Sequence, residues 1–123
     1  MIVASPSAPR AALDMDVVTE LRQSLGDQPG TLAAIYRKFL VNVAIHLNDL
    51  RTQPASMRAA TLHTLRGSAA MVGATRLAEL AQRLHAEFRQ TPDAPIESAI
   101  AALERELDAL RAALAAHFAP LDV

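Results

Sequence analysis

Residues 96–118, IESAIAALERELDALRAALAAHF, carry the cleanest periodicity in the chain. Ile96, Ile100, Leu103, Leu107, Leu110, Leu114 and Phe118 recur at spacings of three and four, so on a helix that turns by about 100° per residue they form one apolar stripe. Such a stripe needs apolar partners, and three further segments supply them. Leu77, Leu80, Leu84 and Phe88 line a helix that ends before Thr91-Pro92-Asp93-Ala94-Pro95, a turn followed by a cap. Pro54 and Gly73 bracket a helix in which Leu62, Leu65, Ala69 and Val72 share a face, and these two helices should form an antiparallel hairpin. Leu32, Ile35, Phe39, Val43, Leu47 and Leu50 belong to a long helix opened by Pro29, with His46 and Asn48 on its wetter side. A short leading helix, capped by Asp14 or Asp16 and closed by Gly26, turns Val18, Leu21 and Leu25 inward as a lid. The expected fold is all-α: an up-down-up-down antiparallel four-helix bundle with an additional short N-terminal helix.

Composition agrees with this reading. The 123 residues are 51% hydrophobic but only 3% aromatic, rich in Ala and Leu, which favours helix over strand and one core over two. The bundle domain is expected over 13–120. Residues 1–12, with Ser5, Pro6, Ser7 and Pro9, have no helical period and read as a disordered tail or linker remnant. A linker there would make the domain one module of a larger protein. The chain has no cysteine, hence no disulfide framework or thiolate metal site, which suits a reducing cytosol. A net charge of −1 with interspersed signs offers no broad basic surface to nucleic acid. Neither a membrane span nor a signal peptide is visible, so the expected location is cytoplasmic.

Within the helix that ends at Gly73, the stretch 62–73, LHTLRGSAAMVG, places His63 roughly 140° from the middle of the core stripe. Its neighbours on that surface are Ser56, Ala59, Ala60, Gly67 and Ala70, with Arg66 the only large one. Exposed helix positions are ordinarily filled by Glu, Lys, Gln or Arg. Small residues around one histidine leave access to its ring and a face on which a partner can dock. Gly67 costs about 0.5–1 kcal/mol relative to Ala in a helix interior; room for a phosphoryl group, or close approach of a partner backbone, would offset it. Arg66 reaches the same space with a permanent charge. Exposed imidazole, clearance and cation together describe a phosphoryl acceptor.

The run from His63 through Arg66, Gly67 and Gly73 to Leu77 resembles the signature of histidine-containing phosphotransfer (HPt) domains, His-x-x-Lys-Gly followed by Gly and Leu. Arg66 stands for the usual Lys, Met71 for a frequent Asn, and His85 for the Gln or Glu common on the next helix. The resemblance implies that His63 accepts and donates a phosphoryl group on Nε2. It further implies exchange with the aspartate of a response-regulator receiver domain, alone or within a hybrid sensor kinase at the cytosolic face of a membrane. Phosphoryl transfer demands positioning and charge neutralisation, yet no carboxylate cluster stands beside His63 to hold magnesium. The partner is expected to bring the metal, and this chain is expected to need no cofactor and to have no turnover of its own. An ordinary imidazole, with a pKa of about 6.5, is already largely neutral and nucleophilic at cytosolic pH.

Two other readings stand beside this one. A metal site would need His63 and His85 to converge with a carboxylate such as Glu79 or Glu87. A helical scaffold would dock a signalling partner without ever being phosphorylated, and would survive His63→Gln. Gly73 reads as a helix C-terminal glycine. His46 and His117 read as surface residues, and His85 is expected to face solvent near the helix hairpin.

Overall fold

The computed structural model describes residues 11–26, 28 and 30–118. Its helices in chain order are α1 (Met15–Ser24), α2 (Thr31–Thr52), α3 (Arg58–Met71), α4 (Thr75–Gln90) and α5 (Glu97–His117), with a single 3-10 turn at Ala55–Met57. No strand occurs among the described residues. The fold is therefore the all-α bundle that the periodicities predict, with α1 as the additional piece. Of the expected tail only Ala11 and Ala12 fall within the described residues, and neither is helical. Pro29, expected to open the long helix, lies outside them, as do 119 and 120.

Local signals explain most of the boundaries. Asp14 caps α1: its Oδ1 accepts a hydrogen bond from the Asp16 N–H at 2.9 Å, satisfying one of the donors that a helix start leaves free. Gly73 follows the end of α3 with φ of 79°, the left-handed conformation that closes helices and that L side chains resist. A Cβ at Gly73 would lie 3.0 Å from Val17 Cβ and 3.1 Å from the Asp14 carbonyl oxygen. The Asp14 N–H donates to the Gly73 carbonyl at 2.8 Å. The glycine thus ends one helix and seats another: α1 is tied by backbone to the α3–α4 turn.

The core contains the expected stripes, including Leu62, Leu65, Leu103 and Leu110, which are fully buried. Helix α2 buries a broader face than its three-four pattern implies. Tyr36 and Leu40 are buried and Ile35 only partly so, because a bundle helix touches neighbours on two flanks. The Tyr36 hydroxyl donates to the Val72 carbonyl at 2.7 Å; burial pushes its pKa up to about 12 against a smaller opposing effect of Arg22. Two expected stripe residues of α5 lie beyond the helix itself. Ile96 is its N-cap, and Phe118 is extended, its ring 5.4 Å from that of Tyr36. Arg51–Glu104 at 2.8 Å and Arg76–Glu106 at 2.9 Å link α5 to α2 and α4. Arg58 donates to the Pro92 and Ala94 carbonyls, holding the α4–α5 loop to the start of α3.

Candidate functional site

The site is built on the α3–α4 hairpin. Leu62, Leu65 and Ala69 bury one face of α3, which turns His63 to the opposite, exposed side. Around it Ala60 and Ala70 are exposed, and Ala59 and Gly67 are half-buried. A Cβ built on Gly67 meets no atom within 4 Å among the described residues. The glycine is not needed for packing against a neighbouring helix; the space beside it is open. Ser56, expected on the same helix surface, instead sits in the 3-10 turn before α3. The tighter turn, about 120° per residue, breaks the seven-residue alignment with His63 that a continuous α-helix would give. Ser56 is exposed there, but periodicity does not place it beside the imidazole.

The neighbouring helix brings a second ring to the site. His85 of α4 lies with its ring centroid 5.3 Å from that of His63, the planes inclined at 43°. His85 thus lies on the helix hairpin as expected, but with its ring against that of His63 rather than simply facing solvent. In an antiparallel pair, residues equally far from the turn stand level; His63 is ten residues before Gly73 and His85 twelve after it. His85 is half-buried, and its position is fixed by Leu84 and Phe88, both in the core. Its pKa is lowered, first by burial and then by the electrostatic influence of His63, Arg89 and Arg66.

Arg66, on the flank of α3 toward α4, lines an open groove of about 640 Å³ together with Ala70, Arg76, Glu79, Gln82 and Arg83. Its Nε is buried and makes no hydrogen bond among the described residues. The groove carries several guanidinium groups, of which Arg76 is engaged by Glu106, and neither His63 nor His85 lines it.

A family model for the Hpt domain matches residues 11–113. The chain belongs to the Hpt domain family. Hpt domains serve histidine phosphotransfer in two-component signalling as phosphocarrier modules rather than enzymes, and in phosphorelays they interact with response-regulator receiver domains. Comparisons with curated proteins and with solved structures give no match for this Hpt chain. Among its described residues no helix is long and apolar enough to cross a membrane. Nor do three or more His, Cys, Asp or Glu side chains gather as a metal site would require among those residues; the two imidazoles converge without Glu79 or Glu87 completing a set. Sequence reasoning weighs His85 only as a departure from the family pattern and as a partner of His63 in a metal site; counting outward from Gly73 places it nearly level with His63.

Proposed function

We propose that His63 is the phosphoryl acceptor and donor of this Hpt domain, in exchange with the aspartate of a receiver domain. The observation that carries this reading is the open space at Gly67 beside an exposed His63. In the step, the lone pair of the imidazole Nε2 attacks phosphorus, the N–P bond forms, and the P–O bond to the aspartyl group breaks. The receiver carboxylate leaves with that electron pair, and the imidazole proton on Nδ1 passes to solvent. The return transfer runs the same step backwards. Magnesium, held by the acidic pocket of the receiver, supplies charge neutralisation from the partner side.

Each surrounding residue has a role in this proposal. Arg66 offsets phosphoryl charge from the groove flank, Gly67 gives clearance, and Ala59, Ala60 and Ala70 form the surface on which the receiver settles. Ser56, in the 3-10 turn, belongs to the edge of that surface. The domain works in the cytoplasm, either free or as the cytosolic module of a membrane-bound hybrid kinase, and takes no cofactor of its own.

The test is incubation with a phosphorylated receiver domain, or with a sensor kinase and ATP, scoring acid-labile, base-stable label in the parent and in His63→Gln. Label is expected in the parent alone. Retained label in His63→Gln would refute the site. Failure of several donors to label the parent would move the function to docking without phosphotransfer.

A further inference from the structure

The outer face of α2 is used neither by the core nor by any residue assigned to the phosphoryl site. Of the exposed large apolar side chains among the described residues, Met15, Met57 and Met71 stand apart on α1, the 3-10 turn and the end of α3. Val41 and Ile45 are instead one turn apart on α2, 43% and 52% exposed. Single exposed apolar residues are ordinary, but a β-branched pair is not what the outer face of a helix usually carries, since Glu, Lys, Gln and Arg are better helix formers there. Val41 and Ile45 are about 40° apart around the helix, and their midline lies about 180° from the buried Val43. Lys38 and Asp49 share one flank of that midline, about 40° and 60° from it. Lys38 is exposed and Asp49 half-buried, and neither side chain makes an ion pair or hydrogen bond among the described residues. The apolar pair and the charged pair also have almost the same centre. The midpoint of Val41 and Ile45 is Val43, and that of Lys38 and Asp49 falls between Val43 and Ala44, about 0.8 Å further along the axis.

We propose that the outer face of α2 is a self-association surface, and that its partner is a second copy of this chain docked with its own α2 antiparallel. A twofold axis at the level of Val43 puts Val41 opposite the partner's Ile45. Such an axis reverses the direction of the helix while keeping each flank on its own side, so the same placement puts Lys38 opposite the partner's Asp49. Both pairings occur twice by symmetry. In a parallel pair the flanks would change sides and bring Lys38 to the partner's Arg37, a like charge; the charges therefore select the antiparallel arrangement. The stiff side chains of Val41 and Ile45 lose little rotamer freedom when covered, and a net charge of −1 sets up little repulsion between copies. One helix of 22 residues from each copy makes a contact smaller than the roughly 1,200 Å² at which standard interfaces begin, so the dimer is weak and reversible. The inference does not depend on the role of His63, which lies on another helix.

Sedimentation equilibrium of the full chain, from about 10 μM to about 1 mM to cover the weak end of the affinity scale, reads the association directly. In the parent and in His63→Gln the average mass should rise alike with concentration, from 13.2 kDa toward twice that value. Ile45→Glu puts a carboxylate into the centre of the contact at two symmetric points and should weaken association at least tenfold, a larger loss than at rim positions. Lys38→Asp and Asp49→Lys each set like charges opposite one another and should each weaken it by roughly three- to tenfold. Combined in one chain, the two reversals restore opposite charges across the twofold axis and should return association to within about twofold of the parent. Urea midpoints of all variants should stay near that of the parent, because the substituted positions lie outside the core. A parent that remains monomeric over the whole range would overturn the inference; if Ile45→Glu then slowed transfer from a phosphorylated receiver, the face would belong to that partner instead. Association that Ile45→Glu leaves unchanged, or that the double reversal fails to restore, would overturn it as well.

Discussion

Helix α3 carries one glycine within it and another just past its end, and the two do opposite things. Gly67 is in the helix interior, with open space where its side chain would be; Gly73 is in the left-handed conformation, with Val17 and Asp14 crowding the place a Cβ would take. The first weakens the helix and keeps a surface clear. The second strengthens the assembly by letting α1 close over the α3–α4 turn. Loss of a side chain is thus a cost borne for access at one site and a requirement of packing at the other, and substitution by alanine should separate them by sign.

The largest effect is expected at the packed end. Gly73→Ala should destabilise the bundle by about 2–3 kcal/mol, through the positive φ and the contacts a Cβ would make, read as a lower urea midpoint at unchanged slope. A neutral outcome would break the comparison at once. The same end contains the buried Tyr36 hydroxyl, bonded to the Val72 carbonyl just before Gly73. An unfolded tyrosine releases its proton near pH 10, whereas Tyr36 holds its own to about 12. The folded state binds more protons within that window, so stability should fall as pH rises through it, by roughly 2 kcal/mol. Urea unfolding at about pH 9 and pH 11.5 checks this against Tyr36→Phe, in which this part of the alkaline loss should vanish.

Effects at the open end should be smaller in stability and visible in transfer. Arg66→Ala should slow phosphoryl transfer by about tenfold, equivalent to about 1.4 kcal/mol of barrier, and single-turnover rates with a phosphorylated receiver measure it. An unchanged rate would make the charge dispensable. Gly67→Ala should raise stability by about 0.5–1 kcal/mol, the opposite sign to Gly73→Ala. Gly67→Glu, by contrast, should impair transfer through bulk and like charge; equal rates in that variant and the parent would remove the clearance argument.

What could be read from the chain follows from how local each determinant is. The α5 stripe needs only its own spacing, and the Asp14 cap needs only the two residues after it. Tyr36 was not legible as core, because its hydroxyl reads as polar until the Val72 carbonyl from another helix satisfies it. Ser56 was misplaced by extending an α-helical period through a segment that winds as a 3-10 turn. The candidate site divides in the same manner. Exposure of His63 and the small residues around it follow from one helix, whereas the approach of His85 depends on the register between two, and so does the groove that Arg66 shares with Arg76 and Arg83.

The surface around His63 has a thermodynamic property that its shape does not reveal. Ala59, Ala60, Gly67 and Ala70 have no rotamers to lose, so covering them freezes almost no side-chain motion, whereas burial of long polar side chains costs up to about 2 kcal/mol each. Nor do they hold a visitor by deep interlocking. Association on such a surface starts with little disorder to overcome and ends with few contacts to break, which favours short residence times. A carrier that must meet one protein, leave it and meet another is limited by departure as much as by arrival, and a smooth, rotamer-poor face shortens both.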